Sequence, residues 1–156
     1  QELILFAKSA VSRNTKIEVD NSSEFLAFDH VILGRKAMGE VLSVSNFVDR
    51  WKIYYDNRLV YFDQFGWKKE VPRGVSGFKN ISSFASFFYV GKKAEYYLEK
   101  LRAYTTSSIK VFTGSSLRNN CLITRVHSRD ISAVREETKK LLGSIWNLEE
   151  PEVWRV

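Results

Sequence analysis

The chain has 156 residues, of which 44% are hydrophobic and 14% aromatic, a composition typical of one folded domain rather than of a disordered chain. Its formal net charge of +6 favours acidic partners of any class, although Lys and Arg are scattered, with pairs as their longest runs. The single cysteine excludes an internal disulfide, and no apolar run reaches the roughly 18–20 residues of a membrane helix. We therefore expect a single domain over residues 1–156 in the cytoplasm, with no membrane partner.

The first half of the chain is predicted to consist of strands. Residues 13–19 alternate between apolar and polar positions, as in a half-buried strand. Residues 24–40 (EFLAFDHVILGRKAMGE) contain a long apolar run, which indicates either one strand buried on both faces or two strands bent at a joint. Residues 51–55 and 59–65 flank Asp56-Asn57-Arg58 and give the clearest hairpin signal. Further strands are predicted at 3–6 and 41–47.

Both predicted helices lie in the second half of the chain. Residues 66–83 contain Gly, Pro, Lys and Ser without a sustained period and predict a mobile loop. A strand at 84–90 and an amphipathic helix at 92–104 follow. Strands are then predicted at 108–112 and 121–126 around a turn at 114–120, and last comes a helix that Asp130 caps and that ends near Asn147. This order favours an α+β fold, mainly antiparallel, with two carboxy-terminal amphipathic helices.

The titratable residues offer little for catalysis or for a metal site. His30 and His127 each stand alone in the sequence, which favours structural roles. Cys121 and His127 lie six positions apart on one predicted strand, too far for a hydrogen bond, so Cys121 is predicted to be an inert core thiol. The glycines form no nucleotide-binding pattern. The residues therefore form no catalytic constellation in the sequence, and a hydrolase is disfavoured for want of an activated nucleophile.

Asp29, Arg35 and Glu40 form a candidate polar cluster at the end of the central apolar run. In one interpretation Arg35 and Glu40 make a surface ion pair beside a turn. In the other, an acid embedded in an apolar strand, followed by an arginine at a glycine bend, lines a polar interior or contacts a partner. The residues alone leave both interpretations open.

A second candidate surface comes from basic and aromatic residues that interleave in RWKIYYDNRLVYF and GWKKEVPRG. Trp51, Tyr54 and Trp67 could stack bases, which makes a basic single-stranded nucleic-acid-binding module the alternative function. The aromatic residues of a hairpin more often belong to a core, so nucleic acid is a disfavoured partner.

Three segments resemble the UreD family of urease accessory proteins, also called UreH. They are QELILF, then FLAFDHVILGRKAMGE with its L-G-R-x-A-x-G-E signature, then the hairpin DRWKIYYDNRLVYFDQF. The strand at 122–126 and a Pro-x-x-Trp ending at Pro151 and Trp154 agree, whereas Asp56-Asn57 replaces the usual Asp-Gly turn and Met38 a smaller residue. The family's glycine-rich amino-terminal part is absent, so the resemblance implies the carboxy-terminal portion of a longer protein.

The resemblance implies a stacked, β-helix-like arrangement of strands and a non-enzymatic role in urease maturation. The protein would be a scaffold that binds the urease apoprotein and UreF, and UreG through UreF, and that assists nickel delivery. No cofactor would be bound stably, since weak oxygen ligands suit nickel in transit. The candidate residues for lining a passage or contacting a partner are Glu18, Asp29 and Glu40, with Arg35 as a structural or partner contact.

Overall fold

The computed structural model describes residues 2–35, 38–40, 42–43, 45–72, 81–104 and 109–154. These residues form eight strands, two α-helices and a short 3-10 helix at Glu152–Trp154. The strands are β1 (Leu3–Leu5), β2 (Ala10–Val19), β3 (Phe25–Leu33), β4 (Asn46–Tyr55), β5 (Arg58–Trp67), β6 (Ser83–Val90), β7 (Val111–Arg118) and β8 (Cys121–Ser128). The helices are α1 (Ala94–Ala103), between β6 and β7, and α2 (Ile131–Trp146), after β8.

The strands form two sheets. The large sheet has the order β1-β3-β6-β8-β7, and the small sheet has the order β2-β4-β5. Neighbouring strands are antiparallel except for two pairs, β1 with β3 and β2 with β4, which are parallel. The prediction of an α+β fold with mainly antiparallel strands and two helices is confirmed.

The large sheet is the middle layer of three, because consecutive residues of its strands face opposite sides. Phe87 stacks on Trp146 of α2 with ring centroids 5.2 Å apart, within a core shared by both helices and the sheet. Its neighbour Phe88 stacks on Trp51 of the small sheet at 4.4 Å. The helices therefore cover one face of the large sheet, and the small sheet covers the other.

Helix α2 has both ends capped by its own sequence. The Asp130 side chain accepts hydrogen bonds from the backbone N–H groups of Ser132 at 3.0 Å and Ala133 at 3.3 Å, as predicted for an N-cap. At the other end Asn147 adopts the left-handed conformation with φ 54° and donates its N–H to Gly143 O at 3.1 Å. The prediction of a helix that begins after Asp130 and ends near Asn147 is confirmed.

Two short hairpins depend on Asx residues at positive φ. Asp56 and Asn57 have φ of 50° and 61° between β4 and β5, and Asn119 and Asn120 have φ of 49° and 61° between β7 and β8. Such pairs give type I′ turns, whose twist matches that of the strands. The predicted hairpin at 51–65 is confirmed. The predicted turn at 114–120 is too long, because the small polar residues before Arg118 pair along β8.

Some other boundaries differ from the predictions. For residues 24–40 the interpretation as one strand is confirmed, since β3 is the single strand among the described residues of this range. The predicted strand at 41–47 is wrong at residues 42, 43 and 45, since β4 begins only at Asn46, where its pairing with β2 starts, and residues 41 and 44 lie outside the described residues. The predicted loop at 66–83 begins inside β5, and residues 73–80 and 108 lie outside the described residues. Gly66 pairs with Val48 within β5, and glycine is required there because a Cβ would lie 2.0 Å from the Phe47 carbonyl oxygen.

Candidate functional site

Between the two sheets, six strands each contribute one polar side chain to a common band. These residues, which we call the inter-sheet polar layer, are Arg13, Asp29, Asp49, Asp63, Ser86 and Arg125. Within the large sheet Asp29 is the register partner of Ser86, and Ser86 is that of Arg125. The layer separates two apolar clusters, one around Ile53 and one around Phe47. The interior of the sandwich is thus apolar, then charged, then apolar along the strands.

Arg13 joins the two sheets at one end of the layer. Its guanidinium donates to Asp29 Oδ1 at 2.8 Å, and its Nε donates to Asp49 Oδ1 at 2.9 Å. Trp51 Nε1 donates to Asp49 Oδ2 at 2.9 Å. The side chains of Arg13, Asp29 and Asp49 are 28%, 16% and 9% exposed, so these contacts are partly shielded from water. The hydrogen bond to Asp49 raises the pKa of Arg13 above its ordinary value, against burial, which lowers it.

Arg125 joins the sheets at the other end. Its Nη2 donates to Tyr61 Oη at 3.0 Å and forms an ion pair with Asp63. Tyr61 Oη in turn donates to Asp63 Oδ2 at 3.1 Å, and burial raises the pKa of Tyr61 to about 12. The side chains of Arg125 and Asp63 are 43% and 29% exposed, so this end is more open to solvent than the Arg13 end.

The charges of the layer do not balance. It contains three aspartates and two arginines, which leaves one net negative charge in a partly desolvated band. Carboxylate oxygens already shared with guanidinium groups would bind a divalent cation only weakly, because the cation competes with arginine. The arrangement can therefore attract a cation and release it again. Among the described residues there is no group of three or more His, Cys, Asp or Glu side chains that could hold a metal ion.

The L-G-R-x-A-x-G-E segment builds a compact turn after β3. Gly34 has φ +83° and donates its N–H to Leu5 O at 2.7 Å, and a Cβ there would lie 3.1 Å from the Glu40 carbonyl oxygen. The Glu40 carboxylate accepts from Arg35 Nη2 at 2.7 Å and from the Ala7 N–H at 2.9 Å. Arg35 lowers the pKa of Glu40. The ion pair beside a turn is thus present, and it ties this turn to the loop after β1.

The four residues predicted for a passage or partner contact lie in three places. Asp29 belongs to the polar layer, and Arg35 and Glu40 pair with each other at the turn after β3. Glu18 points outward from β2, is 65% exposed, and pairs with Lys16 at 2.7 Å. The structure therefore brings Arg35 and Glu40 together but does not place Asp29 among them, because its partner is Arg13.

The two histidines and the cysteine lie apart from one another. His30 is 2% exposed, its Nε2 lies 3.1 Å from Ser83 Oγ, and burial lowers its pKa to about 4. Cys121 is fully buried at the start of β8, and burial raises its pKa to about 12, as expected for an inert thiol. His127, near the other end of β8, stacks on Phe112 with ring centroids 5.2 Å apart. These positions are consistent with the structural roles predicted for all three.

The proposed base-stacking aromatics are mostly inaccessible. Trp51 is 9% exposed and Trp67 is 6% exposed, and each packs into one of the two apolar clusters between the sheets. Of the three aromatic residues named for the nucleic-acid alternative, only Tyr54 lies on an outward face. The prediction that Trp51 and Trp67 could stack bases is wrong.

The sequence reasoning missed most of the polar layer. It identified Asp29, whose acid interrupts an apolar run, but not Arg13, Asp49, Asp63 or Arg125. A signal was present, because strict alternation places Asp49 in phase with the apolar inward positions of β4, and Asp63 likewise in β5. Charged residues at the inward phase of an amphipathic strand predict an internal ion pair.

The fold and the layer define a class of protein: an α+β sandwich with a charged interior band. Residues 1–155 match the family described as UreD urease accessory protein, so the chain belongs to the UreD family. It is 32% identical to the urease accessory protein UreD of Rhizobium leguminosarum bv. trifolii (strain WSM2304) over 100% of this chain and 58% of that protein. The corresponding protein of Agrobacterium fabrum (strain C58) is also 32% identical, over 55% of its length.

The chain spans between half and two thirds of the length of these relatives. No helix in the described part of the chain is long and apolar enough to cross a membrane.

Proposed function

We propose that this chain is part of a non-enzymatic scaffold for urease maturation that acts in the cytoplasm. The scaffold binds the urease apoprotein and UreF, recruits UreG through UreF, and assists the delivery of nickel to the urease active site. Membership of the UreD family supports the connection with urease. The observation that carries the role in metal delivery is the inter-sheet polar layer, an ionic band between two apolar clusters inside the sandwich.

In this proposal the carboxylates of the layer line the nickel passage. Asp29 and Asp49 share the guanidinium of Arg13, and Asp63 shares that of Arg125, so none of them can bind a cation without weakening an ion pair. Binding is then weak at each carboxylate, which suits an ion that has to leave. Burial strengthens the attraction, because the charge acts in a medium of lower dielectric constant than water.

The candidate residues outside the layer serve the partners rather than the passage. Arg35 and Glu40 hold the turn after β3, on which Met38 is 78% exposed, and the Arg35 guanidinium lies 5.2 Å from the ring centroid of Phe6, which is 46% exposed. Apolar side chains exposed on a turn fixed by an ion pair are suited to contact another protein. Glu18 lies on the outer face of β2 and is accessible to another protein, so we assign it to a partner contact as well.

We further propose that the strands belong to a longer stack. The chain crosses from the large sheet to the small sheet between β1 and β2, and it makes the same crossing between β3 and β4. The equivalent strands of the two crossings lie side by side in parallel, β1 with β3 and β2 with β4. The outer edges of β1 and β2 carry no further strand among the described residues. The rest of the length seen in the relatives would add strands at those edges. Amide hydrogen exchange at β1 and β2 should then be slower in the full-length protein than in residues 1–156 alone.

The passage is tested by co-expressing the full-length protein with urease and the other accessory proteins. The double change Asp29→Asn with Asp63→Asn removes two negative charges and keeps an acceptor for each arginine. We expect wild-type binding to the urease apoprotein and a urease with a fraction of the normal nickel content, measured by elemental analysis.

The matched control is Glu99→Gln on α1, which removes a charge that is 69% exposed and lies outside the layer, and it should leave the nickel content unchanged. A normal nickel content in the double variant would overturn the passage. An absence of any binding between the wild-type protein and urease would overturn the scaffold.

A further inference from the structure

The outer face of the small sheet lies on the side away from the large sheet. Its members, which alternate with the inward residues of the three strands, are Asn14, Lys16, Glu18, Arg50, Lys52, Tyr54, Leu59, Phe62 and Gln64. All of them are exposed or half-exposed. Phe62 is 53% exposed and Leu59 is 51% exposed. This face is therefore available to a partner along three adjacent strands.

Three cations lie together on this face. Lys16 and Lys52 are register partners on the parallel strands β2 and β4, and Arg50 is two residues from Lys52 on the same side of β4. Strand spacing puts neighbouring positions about 5 Å apart across the strands and about 7 Å apart along them. Like charges at paired positions reduce the stability of a sheet. The pairing of Lys16 with Lys52 therefore lowers the stability of the folded chain rather than raising it.

The cations are only partly neutralised within the chain. Lys16 pairs with Glu18 at 2.7 Å, while Arg50 donates to the neutral amides of Gln64 at 2.7 Å and Asn14 at 3.4 Å. Among the described residues Lys52 has no ion-pair partner. Three cations against one carboxylate leave a net charge of +2 on the face, which complements an acidic surface.

The same residues favour a protein over a nucleic acid as the occupant. Glu18 pairs with Lys16, so the face lacks the continuous row of free cations that a nucleic-acid backbone follows, whereas separate carboxylates of a protein can still meet Arg50 and Lys52. Lys16 Nζ lies 5.3 Å from the centroid of the Tyr54 ring, so a base could stack there only by displacing it. The exposed Leu59 and Phe62 add an apolar edge, as in the mixed surfaces of protein interfaces.

We propose that the outer face of the small sheet docks an acidic surface of the urease apoprotein, with carboxylates placed against Lys52 and Arg50 and apolar side chains against Phe62. This inference rests on the proposed scaffold function and names the surface that the function uses. It predicts that affinity falls as the salt concentration rises.

The test uses Lys52→Glu in the full-length protein, with binding to purified urease apoprotein measured by biolayer interferometry at several salt concentrations. The change places a carboxylate beside Lys16, so folding is not compromised. We expect binding about tenfold weaker than wild type and a shallower salt dependence. Lys92→Glu is the matched control, since Lys92 is exposed at the start of the turn before α1, and it should bind within twofold of wild type.

Each other outcome has a distinct meaning. Wild-type affinity in Lys52→Glu, or an equal loss in Lys92→Glu, would overturn the docking surface while the scaffold function stands. No binding by the wild type would overturn the scaffold function and this inference with it. Binding of a single-stranded oligonucleotide that Lys52→Glu abolishes, with urease binding intact, would assign the face to nucleic acid and overturn the proposal.

Discussion

The two faces of the large sheet are stabilised in different ways. On the helix face, Phe87, Leu141, Val134 and their neighbours form one continuous apolar core. On the face that meets the small sheet, the inter-sheet polar layer divides the apolar contacts into two clusters. Buried ion pairs seldom stabilise a fold more than apolar residues of the same size would. We therefore expect the helix face to contribute more to stability than the polar layer does.

The largest expected effect comes from breaking the helix face. Phe87→Ala removes a ring that is 1% exposed and stacks on Trp146, and it should lower the free energy of unfolding by about 4 kcal/mol through lost burial and a cavity. Phe112→Ala, at 63% exposure, is the control and should cost under about 0.5 kcal/mol. Urea unfolding monitored by circular dichroism measures both, and equal losses would contradict the assignment of the core.

Breaking the polar layer should cost somewhat less. Arg13→Leu leaves Asp29 and Asp49 partly buried without their cation, and we expect a loss of about 3 kcal/mol in the free energy of unfolding. The triple change Arg13→Leu with Asp29→Leu and Asp49→Leu replaces the whole group by apolar residues and should recover most of that loss.

The triple variant sharpens the comparison because it separates stability from function. If the layer serves nickel delivery, this variant folds stably, yet urease matured with it contains little nickel. A triple variant as unstable as Arg13→Leu would mean that the layer itself holds the sheets together.

Acid should weaken the helix face through His30. Burial lowers the pKa of His30 to about 4, below the ordinary 6.5, so between these values the unfolded chain binds a proton that the folded chain does not. Stability is therefore highest above pH 6.5 and falls as the pH drops, by about 2 kcal/mol between pH 7 and pH 5. Burial raises the pKa of Glu2, but Arg135 outweighs this effect and lowers it below its ordinary value of 4.5. The stability that this carboxylate adds is therefore lost only as the pH falls below about 4.5.

Denaturant unfolding of the wild type and of His30→Gln at pH 5 and pH 7 measures this effect. The variant should lose most of the pH dependence, and His127, whose pKa burial also lowers, accounts for what remains. The same slope in both proteins would show that His30 is not the group that titrates.

The sequence predicted the face whose patterns lie within single segments of the chain, and it missed the face whose contacts join distant segments. The helix face was largely predictable: the apolar period of α2, its Asp130 cap and the strand at 84–90 are patterns within one segment. The polar layer was not, because Arg13 meets Asp29 and Asp49 only once β2, β3 and β4 have taken their places in different sheets. Strand pairing fixes such contacts, and a single sequence does not specify which strands pair. Asp29 was found because it interrupts an apolar run, and Arg35 and Glu40 because they are close in sequence.

Two serines of β6 give the smallest and most direct comparison of the faces. Ser83 faces the helices and lies 3.1 Å from His30 Nε2, whereas Ser86 faces the small sheet and its side chain makes no hydrogen bond with a described residue. Ser83→Ala should cost about 1–2 kcal/mol, because a buried ring nitrogen loses its partner. Ser86→Ala should change the free energy of unfolding by less than about 0.5 kcal/mol and leave nickel delivery intact, since it removes polarity but no charge. A loss of nickel content in Ser86→Ala would mean that the hydroxyl takes part in the passage, and that charge alone does not explain why the layer is polar.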